Sequence, residues 1–187
     1  MKDLSLHILD IIQNSITAGA TLVELSIVED DKNDKRTITI TDNGKGMSQE
    51  LVKTVTDPYT TTRTTRKVGL GIPLLKQNAE RTGGSLTIES QLGKGTSLIA
   101  EFKPSSIDCL TFGDIPGVIA ITVSGNPKVD FIYNHKKNSN LYCFNTKEIK
   151  EILGDIPISD PSVSKYLKEM IQTNLEEIQI GTIGYKT

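Results

Sequence analysis

Residues 10–21 of the chain read DIIQNSITAGAT, and residues 42–47 read DNGKGM. The first stretch belongs to a helical pattern over residues 4–18, in which apolar side chains recur on one side and polar side chains fall on the other. The second stretch follows an alternating segment, residues 36–41, that predicts a half-buried strand. Residues 21–29, between the two stretches, predict another strand. A helix with a polar face, two strands and a glycine-rich turn therefore begin the predicted fold.

The polar face of this helix carries two residues with ligand chemistry. Asp10 and Asn14 are four residues apart, so one helical turn places their side chains together. The amide oxygen of Asn14 is a donor that Mg²⁺ accepts, and the carboxylate of Asp10 could act as a general base beside the same ion. A solvent-exposed helix face produces the same pattern, so the pair alone leaves both interpretations open.

The glycine-rich turn combines a carboxylate with two residues that lack a Cβ atom. Asp42 can accept a hydrogen bond from an exocyclic amine such as that of adenine. Gly44 and Gly46 would let the backbone approach a flat ring and adopt turn dihedrals. An ordinary Asp/Gly β-turn has the same composition, so this motif is also ambiguous by itself.

Two further glycine motifs follow along the chain. Gly69, Leu70 and Gly71 open a predicted helix, where free N–H groups and the helix dipole favour a phosphate. Residues 93–96 read GKGT at the tip of a predicted hairpin, where Thr96 can contact a base directly or through water. Either motif alone is equally consistent with a plain helix start or a tight turn.

In this order the four motifs resemble the N, G1, G2 and G3 boxes of the GHKL superfamily, which shares the Bergerat ATP-binding fold. Residues 13–21 are similar to the N box of MutL-type ATPases. Residues 58–63, 69–72 and 93–96 (PYTTTR, GLGI and GKGT) are similar to the lid and the later boxes of histidine kinases. The resemblance covers roughly residues 4–103.

The resemblance implies an α+β fold: a two-layer α/β sandwich with a mixed, mostly antiparallel sheet covered by helices on one face. We expect this ATP-binding domain over residues 1–104 and a small α+β module over residues 108–187. The usual first strand of the family is missing here, so the C-terminal part is expected to cover that edge of the sheet. Residues 114–124 are compatible with a helix or a strand, and residues 57–68 with a loop that would close over ATP.

The resemblance also assigns roles to the matching positions. Asn14 would hold Mg²⁺, and Asp42 would recognise the adenine amine. Asp10 would be the catalytic residue, although hydrolysing members of the family carry the longer glutamate there, which puts its reach in question. The positions implied to contact Mg-ATP are Asn14, Asp42, Gly44, Gly46, Met47, Arg63, Gly69, Leu70, Gly71 and Thr96.

Bulk properties restrict the function classes. The chain has 187 residues, with 36% hydrophobic and 24% charged residues, as expected of a soluble globular protein. A net charge of −2 without a basic run argues against a dedicated nucleic-acid binder. Cys109 and Cys143 lie far apart, which favours reduced thiols over a zinc site. No membrane span or signal peptide is predicted, so the expected location is cytoplasmic.

Three functions remain open from the sequence. The first is an enzyme that uses Mg-ATP, hydrolysing it or passing its γ-phosphate to a partner protein docked on the C-terminal module, as the anti-sigma-factor serine kinases of this superfamily do. The chain itself shows no phospho-accepting histidine context at His7 or His135. The second is a nucleotide-sensing module with little turnover, in which ATP orders the lid to control a partner. The third, an ATPase linked to nucleic acid, is disfavoured by the net acidity.

Overall fold

The computed structural model describes residues 2–56 and 71–180 of the chain. These residues form six helices and six strands. In chain order they are α1 (Leu4–Thr17), β1 (Leu22–Asp30), β2 (Lys35–Asp42), α2 (Gln49–Thr54), α3 (Gly71–Arg81), β3 (Ser85–Gln91), β4 (Gly95–Phe102), α4 (Ile115–Gly125), β5 (Asp130–Lys137), β6 (Asn140–Asn145), α5 (Thr146–Leu153) and α6 (Pro161–Ile180).

Helix α1 forms where the apolar periodicity predicts it. The side chain of Asp3 accepts a hydrogen bond from the backbone N–H of Leu6 and so caps the N-terminus. Ile8 and Ile12 are almost fully buried on the core face. Gly19 follows the helix with a φ of +79°, a left-handed conformation that favours glycine. One face of the helix therefore packs on the core while Asn14 and its neighbours face the site described below.

The strands form one six-stranded sheet in the order β3-β4-β2-β1-β5-β6. All neighbouring strands are antiparallel except β1 and β5. Burial alternates along β1, so that Val23, Leu25 and Ile27 face the core while Glu24 and Val28 are exposed. Helix α1 contacts both α3 and α4, and α4 packs on α6. This arrangement confirms the predicted α+β class with a mixed sheet.

Residues after the predicted domain boundary extend the sheet. β5 runs parallel to β1 with Tyr133 opposite Leu25, and β6 pairs antiparallel with β5. The expectation that the C-terminal part covers the free edge of β1 is therefore confirmed. Strands from both parts share one sheet, and the division into residues 1–104 and 108–187 stays a prediction.

A buried polar network joins the two parts at the end of β1. The Glu29 carboxylate accepts a hydrogen bond from His135 Nε2 (3.0 Å) and one from Gln179 (3.1 Å), and Arg36 and Lys137 lie within 3.4 and 3.7 Å of its other oxygen. Burial raises the pKa of Glu29, but the bond from His135 and the nearby cations outweigh burial and leave the pKa lowered. A single buried carboxylate thus ties β1 to β5 and α6.

Residues 114–124, which the sequence left open between helix and strand, form a helix. Asp114 accepts a hydrogen bond from the backbone N–H of Gly117 at 2.9 Å and caps α4. Pro116 lies in the first turn of α4, where its fixed φ suits the start of a helix. The alternative prediction of a strand for this segment is wrong, because Asp114 and Pro116 favour the start of a helix even though the segment is rich in Val and Ile. The predicted loop over residues 57–68 lies outside the described residues.

Candidate functional site

A cavity of about 590 Å³ opens between α1, the ends of β2 and β4, and the glycine-rich turn after β2. Its volume lies in the range of small-molecule sites, about 300–1,000 Å³. Most of its wall is apolar, with a few polar groups at defined places. The described residues that line it are Ile11, Asn14, Ser15, Thr17, Ala18, Ile40, Asp42, Lys45, Gly46, Met47, Leu51, Val55, Ile72, Ile88, Thr96 and Leu98.

The main acceptor in this wall is the carboxylate of Asp42, the last residue of β2. Its Oδ1 accepts a hydrogen bond from the backbone N–H of Gly44 at 2.9 Å. Its Oδ2 accepts one from the hydroxyl of Ser15 at 2.7 Å. An ionised carboxylate only accepts hydrogen bonds and has about four lone-pair positions, so acceptor capacity remains for a ligand N–H group. The geometry suits recognition of an amine.

The glycine-rich turn is packed onto the tip of the β3–β4 hairpin. Gly46 has a φ of +65°, and a Cβ atom there would overlap the carbonyl group of Gln91. The backbone N–H of Gly93 donates to the Lys45 carbonyl at 2.8 Å. Only glycine satisfies both the backbone conformation and the close approach at position 46. Two motifs that lie about fifty residues apart in sequence therefore form one structural unit.

Ser90 lies at the centre of that unit. Its hydroxyl accepts a hydrogen bond from the Met47 backbone N–H at 2.8 Å and donates to the Gly95 carbonyl at 2.8 Å. It also lies 2.9 Å from the hydroxyl of Thr96, which is the direct cross-strand partner of Asp42. Ser90 thus connects the glycine-rich turn to the side chain of Thr96 on the cavity wall.

The second polar end of the site lies on α1. The Asn14 amide nitrogen donates to Asp10 Oδ2 at 3.4 Å, one helical turn away. Because the carboxylate can only accept, this contact requires that the amide oxygen of Asn14 faces away from Asp10. Asn14 lines the cavity, whereas Asp10 is absent from the described part of its lining. Within residues 2–56 and 71–180, no group donates to the amide oxygen of Asn14, so in that part of the chain it is available to a cation or a donor.

Asp10 is in contact with the first residue of α3. A Cβ atom at Gly71 would overlap the carboxylate of Asp10, so the α1–α3 contact depends on glycine at this position. This contact places the candidate base beside the N-terminus of a helix, where unpaired N–H groups favour negative charge. The sequence pattern predicted each residue separately; it did not predict that they touch.

Below Asp10, His7 is fully buried between α1 and α3. Its Nε2 lies 3.0 Å from the amide nitrogen of Asn78, which can only donate, so Nδ1 carries the proton and points to the Gly71 carbonyl at 3.4 Å. Burial lowers the pKa of His7. His7 is therefore a packed histidine, and its contact with Gly71 places it next to the site.

Residues 2–106 match the model of the family described as "Histidine kinase-, DNA gyrase B-, and HSP90-like ATPase". The match covers more than half of the chain and includes every described motif above. The chain belongs to this family. It contains a GHKL-type ATP-binding domain, and the family in general binds Mg-ATP.

Curated relatives of this GHKL chain include bacterial sensor kinases. The sensor histidine kinase ZraS of Escherichia coli is 29% identical over 90 residues, which is 48% of this chain and 19% of that protein. Sporulation kinase D of Bacillus subtilis is 31% identical over 91 residues, 49% of this chain and 18% of the kinase. The chain thus spans less than a fifth of the length of either relative.

Solved structures similar to the GHKL chain include the N-terminal domain of a DNA repair protein, with a TM-score of 0.57 and 14% identity over 83% of this chain and 58% of that chain. The Aquifex aeolicus MutL ATPase domain complexed with ADP has a TM-score of 0.47 and 18% identity over 82% of this chain and 69% of that chain. The first likeness covers more than residues 2–106, so the shared fold extends into the segment that follows.

The GHKL fold brings most of the predicted site residues together. Asn14, Asp42, Gly46, Met47 and Thr96 line the cavity, and Gly44 donates to Asp42 beside it. Asp10 and Gly71 contact each other next to Asn14. Arg63, Gly69 and Leu70 lie outside the described residues. Within the described parts of the chain, no helix is both long and apolar enough to cross a bilayer.

Sequence reasoning missed two serines of the site. Ser15 follows Asn14 directly, and a helical wheel could have shown that it points toward the sheet rather than the solvent. Ser90 lies in a strand of alternating burial, and nothing in its surroundings distinguishes it from any other strand serine. Both act through hydrogen bonds to residues far away in sequence, which a linear motif does not show.

Proposed function

We propose that the chain binds Mg-ATP in the cavity beside α1 and uses it, either by hydrolysis or by transfer of the γ-phosphate to a partner protein. One observation carries this proposal: an apolar cavity of about 590 Å³ has the twice hydrogen-bonded carboxylate of Asp42 in its wall and the side-chain amide of Asn14 on the adjoining helix. An adenine ring and a metal-bound phosphate need these two kinds of group.

The base would lie between the apolar residues of the wall. Ile40, Ile88 and Leu98 come from three neighbouring strands and offer a flat surface for a ring. Asp42 would accept a hydrogen bond from the exocyclic amine, and Thr96, its cross-strand partner, would contact the same edge of the base. The close packing of Gly46 on the hairpin would hold the turn in a fixed position beside the base.

The phosphates would lie toward α1 and the start of α3. The oxygen of Asn14 would hold Mg²⁺, which neutralises phosphate charge when it is bound. The N-terminus of α3 at Gly71 would face the phosphates with unpaired N–H groups. Asp10 would orient or deprotonate the attacking hydroxyl or water. Arg63, Gly69 and Leu70 belong to this proposal on the resemblance alone.

A docked protein would be the phosphate acceptor if transfer is the reaction. The segment after residue 106 provides apolar side chains on the surface: Ile152 is 80% exposed, Ile156 54% and Tyr166 61%. Isolated exposed apolar residues are common on soluble proteins, so these three are candidates for contacts with a partner rather than evidence of one. Partner binding through residues 108–187 therefore remains part of the proposal.

A second candidate function is a nucleotide switch with little turnover. The observation that favours it is the position of Asp10, whose carboxylate contacts Asn14 and Gly71 and is absent from the described cavity lining. Aspartate is one methylene shorter than glutamate, so the reach to a nucleophile is reduced. In this case ATP would change a partner surface without being consumed.

The deciding experiment follows the label from γ-labelled Mg-ATP with the wild type, Asp10→Ala, Asn14→Ala and the exposed-site control Asp155→Ala. We expect wild type and control to release phosphate or to label a protein, while the two site variants do neither. Free phosphate identifies an ATPase, and a labelled protein identifies a kinase. If ATP binds but the wild type releases or transfers no more label than Asp10→Ala does, both alone and with cell extract added, the nucleotide switch replaces the enzyme as the proposed function.

A further inference from the structure

The hydrogen bond between Ser15 and Asp42 joins two elements that are distant in sequence. Ser15 lies on α1 and is 4% exposed, and its hydroxyl donates to Asp42 Oδ2 at 2.7 Å. The alternative acceptor, the Ile11 carbonyl on the same helix, lies at 3.3 Å and is the weaker partner. The proton of the Ser15 hydroxyl is therefore directed at the carboxylate.

This bond matters because an aspartate carboxylate rotates easily. The last torsion of the Asp side chain has a broad, roughly two-fold profile, so one hydrogen bond leaves the plane of the carboxylate poorly defined. Here Gly44 donates to one oxygen at 2.9 Å and Ser15 donates to the other. Two donors on different oxygens fix the plane and determine where the remaining lone pairs point.

Ser15 also contributes an acceptor to the cavity wall. A hydroxyl that donates its only proton still has two lone pairs, and Ser15 lines the cavity beside Asp42. Together the two side chains face the ligand with acceptor groups. A 6-amino group has two N–H donors and matches this surface, whereas a 6-oxo group would place an acceptor against it, at a cost in affinity.

We infer that Ser15 is a positioning residue that sets base selectivity: by holding the Asp42 carboxylate it makes the site prefer a 6-aminopurine nucleotide to a 6-oxopurine nucleotide. This inference rests on the proposed function, since it concerns the same cavity. It assigns the selectivity to a hydrogen bond from α1 rather than to Asp42 alone. The helix that carries Asn14 and Asp10 thus also controls the base end of the site.

The test compares Mg-ATP with Mg-ITP, which differ in the group at position 6 of the base and in the proton that the 6-oxo base carries on N1. Affinities are measured by titration calorimetry for wild type, Ser15→Ala and Ser15→Thr. We expect Ser15→Ala to weaken ATP binding about tenfold and ITP binding less than about twofold, the size of a hydrogen bond to a charged group. Ser15→Thr keeps the hydroxyl and should keep the ATP/ITP ratio within about threefold of wild type.

Ser5→Ala is the matched control. Ser5 lies on the same helix and donates to the Asp3 carboxylate at the same distance, 2.7 Å, at the end of α1 away from the cavity. Its removal should leave the ATP/ITP ratio unchanged, so a general weakening of α1 is distinguished from a change at the base. If Ser15→Ala does not fold, Ser15→Cys, with a similar shape and a weak donor, replaces it and should also narrow the ratio.

Two negative outcomes have different meanings. If the wild type binds ATP and Ser15→Ala loses ATP and ITP affinity equally, or loses neither, Ser15 is only a packing residue and the inference is wrong while the proposed function stands. If the wild type binds neither nucleotide, the proposed function itself is overturned, and the inference falls with it. A smaller ratio of ATP to ITP affinity in Ser15→Ala, together with an unchanged ratio in Ser5→Ala, supports both the inference and the proposed function.

Discussion

The two polar ends of the cavity are built differently. At the base end, Asp42 accepts hydrogen bonds of 2.7 Å from α1 and 2.9 Å from the turn. The Ser90 hydroxyl bonds the Met47 N–H and the Gly95 carbonyl, each at 2.8 Å. At the other end, the described residues give Asp10 one hydrogen bond, at 3.4 Å from Asn14, and His7 reaches the Gly71 carbonyl at 3.4 Å. Among the described residues, therefore, the hydrogen bonds at the base end are short and those near Asp10 are long.

Under the proposed function, this difference would separate recognition from chemistry. A pre-formed base end needs no rearrangement to bind a nucleotide, so affinity and base selectivity would reside in the fold itself. Catalytic hydrogen bonds are often long before the substrate is bound and shorten in the reactive complex. Substitutions at the base end should therefore change affinity, and substitutions at the Asp10 end should change turnover.

The largest effect is expected from Asp42→Asn at the base end. The Ser15 hydroxyl and the Gly44 N–H both donate to the carboxylate. An asparagine amide has one accepting oxygen and one donating NH₂ group. Whichever way it turns, the NH₂ group faces another donor, either one of these two groups or the amine of the base. We expect ATP affinity to fall about 100-fold, the upper range for a hydrogen bond to a charged group. Calorimetric titration of wild type and variant measures it.

The control for that substitution is Asp155→Asn, on an exposed carboxylate between α5 and α6. It should change ATP affinity by less than about twofold, as expected for a surface charge far from a ligand. Wild-type affinity in Asp42→Asn would mean that the base is recognised elsewhere, and the contrast between the two ends would lose its basis.

Gly46→Ala should have the next largest effect because nothing around position 46 can yield. The residue has a φ of +65°, and its Cβ would overlap the backbone of Gln91. The left-handed conformation alone costs a non-glycine residue about 1–2 kcal/mol. We expect the free energy of unfolding in urea to fall by about 2 kcal/mol or more. In Gly125→Ala, where a Cβ meets no atom within 4 Å, the change should stay below about 0.5 kcal/mol.

Gly71→Ala tests the other end by the same kind of change. Its Cβ would overlap the side chain of Asp10, which can rotate away, rather than a backbone group. We therefore expect the free energy of unfolding to fall by only about 1 kcal/mol. Label transfer should fall about tenfold, because Asp10, the candidate general base, is displaced. If stability falls as much as in Gly46→Ala while turnover is unchanged, the Asp10 end is as rigid as the base end and Asp10 has no part in the reaction.

The two ends also differ in how far the sequence predicts them. The individual residues of both were found from short motifs, because Asp, Asn and Gly have specific chemistry at fixed spacing along helices and turns. The supports were not found. Ser15 bonds Asp42 and Ser90 bonds the backbone of Met47, partners that lie 27 and 43 positions away in sequence, and no local pattern indicates either pairing.

The fold shows the same limit. Helix and strand periods predict α1 and the strands from β1 to β4 because each buries one face, and family resemblance then supplies their arrangement. The parallel pairing of β5 with β1 joins residues about a hundred positions apart, and no local pattern contains that register. The family resemblance led us to expect that the C-terminal part covers this edge, whereas the strand that pairs there and its register, with Tyr133 opposite Leu25, required the structure.

The smallest predicted effect concerns His7, which supports the Asp10 end from below. Burial lowers its pKa from the ordinary value of 6.5, so below pH 6.5 the unfolded chain takes up a proton that the folded chain resists. The free energy of unfolding should then decrease as the pH falls below 6.5 and level off below the lowered pKa. Urea unfolding measured from about pH 7.5 to 5 should show this decrease in wild type and less of it in His7→Gln.

Asn78→Asp sharpens that test because it should act in the opposite direction. It would place a carboxylate where the amide nitrogen now lies 3.0 Å from Nε2 of His7, and a negative charge there favours the protonated imidazole. The decrease in the free energy of unfolding below pH 6.5 should become smaller in this variant or turn into an increase. Identical pH profiles in wild type, His7→Gln and Asn78→Asp would show that His7 does not titrate in this range. A reversed profile in Asn78→Asp, accompanied by altered label transfer at low pH, would instead show that the charge state of His7 is transmitted through Gly71 to Asp10.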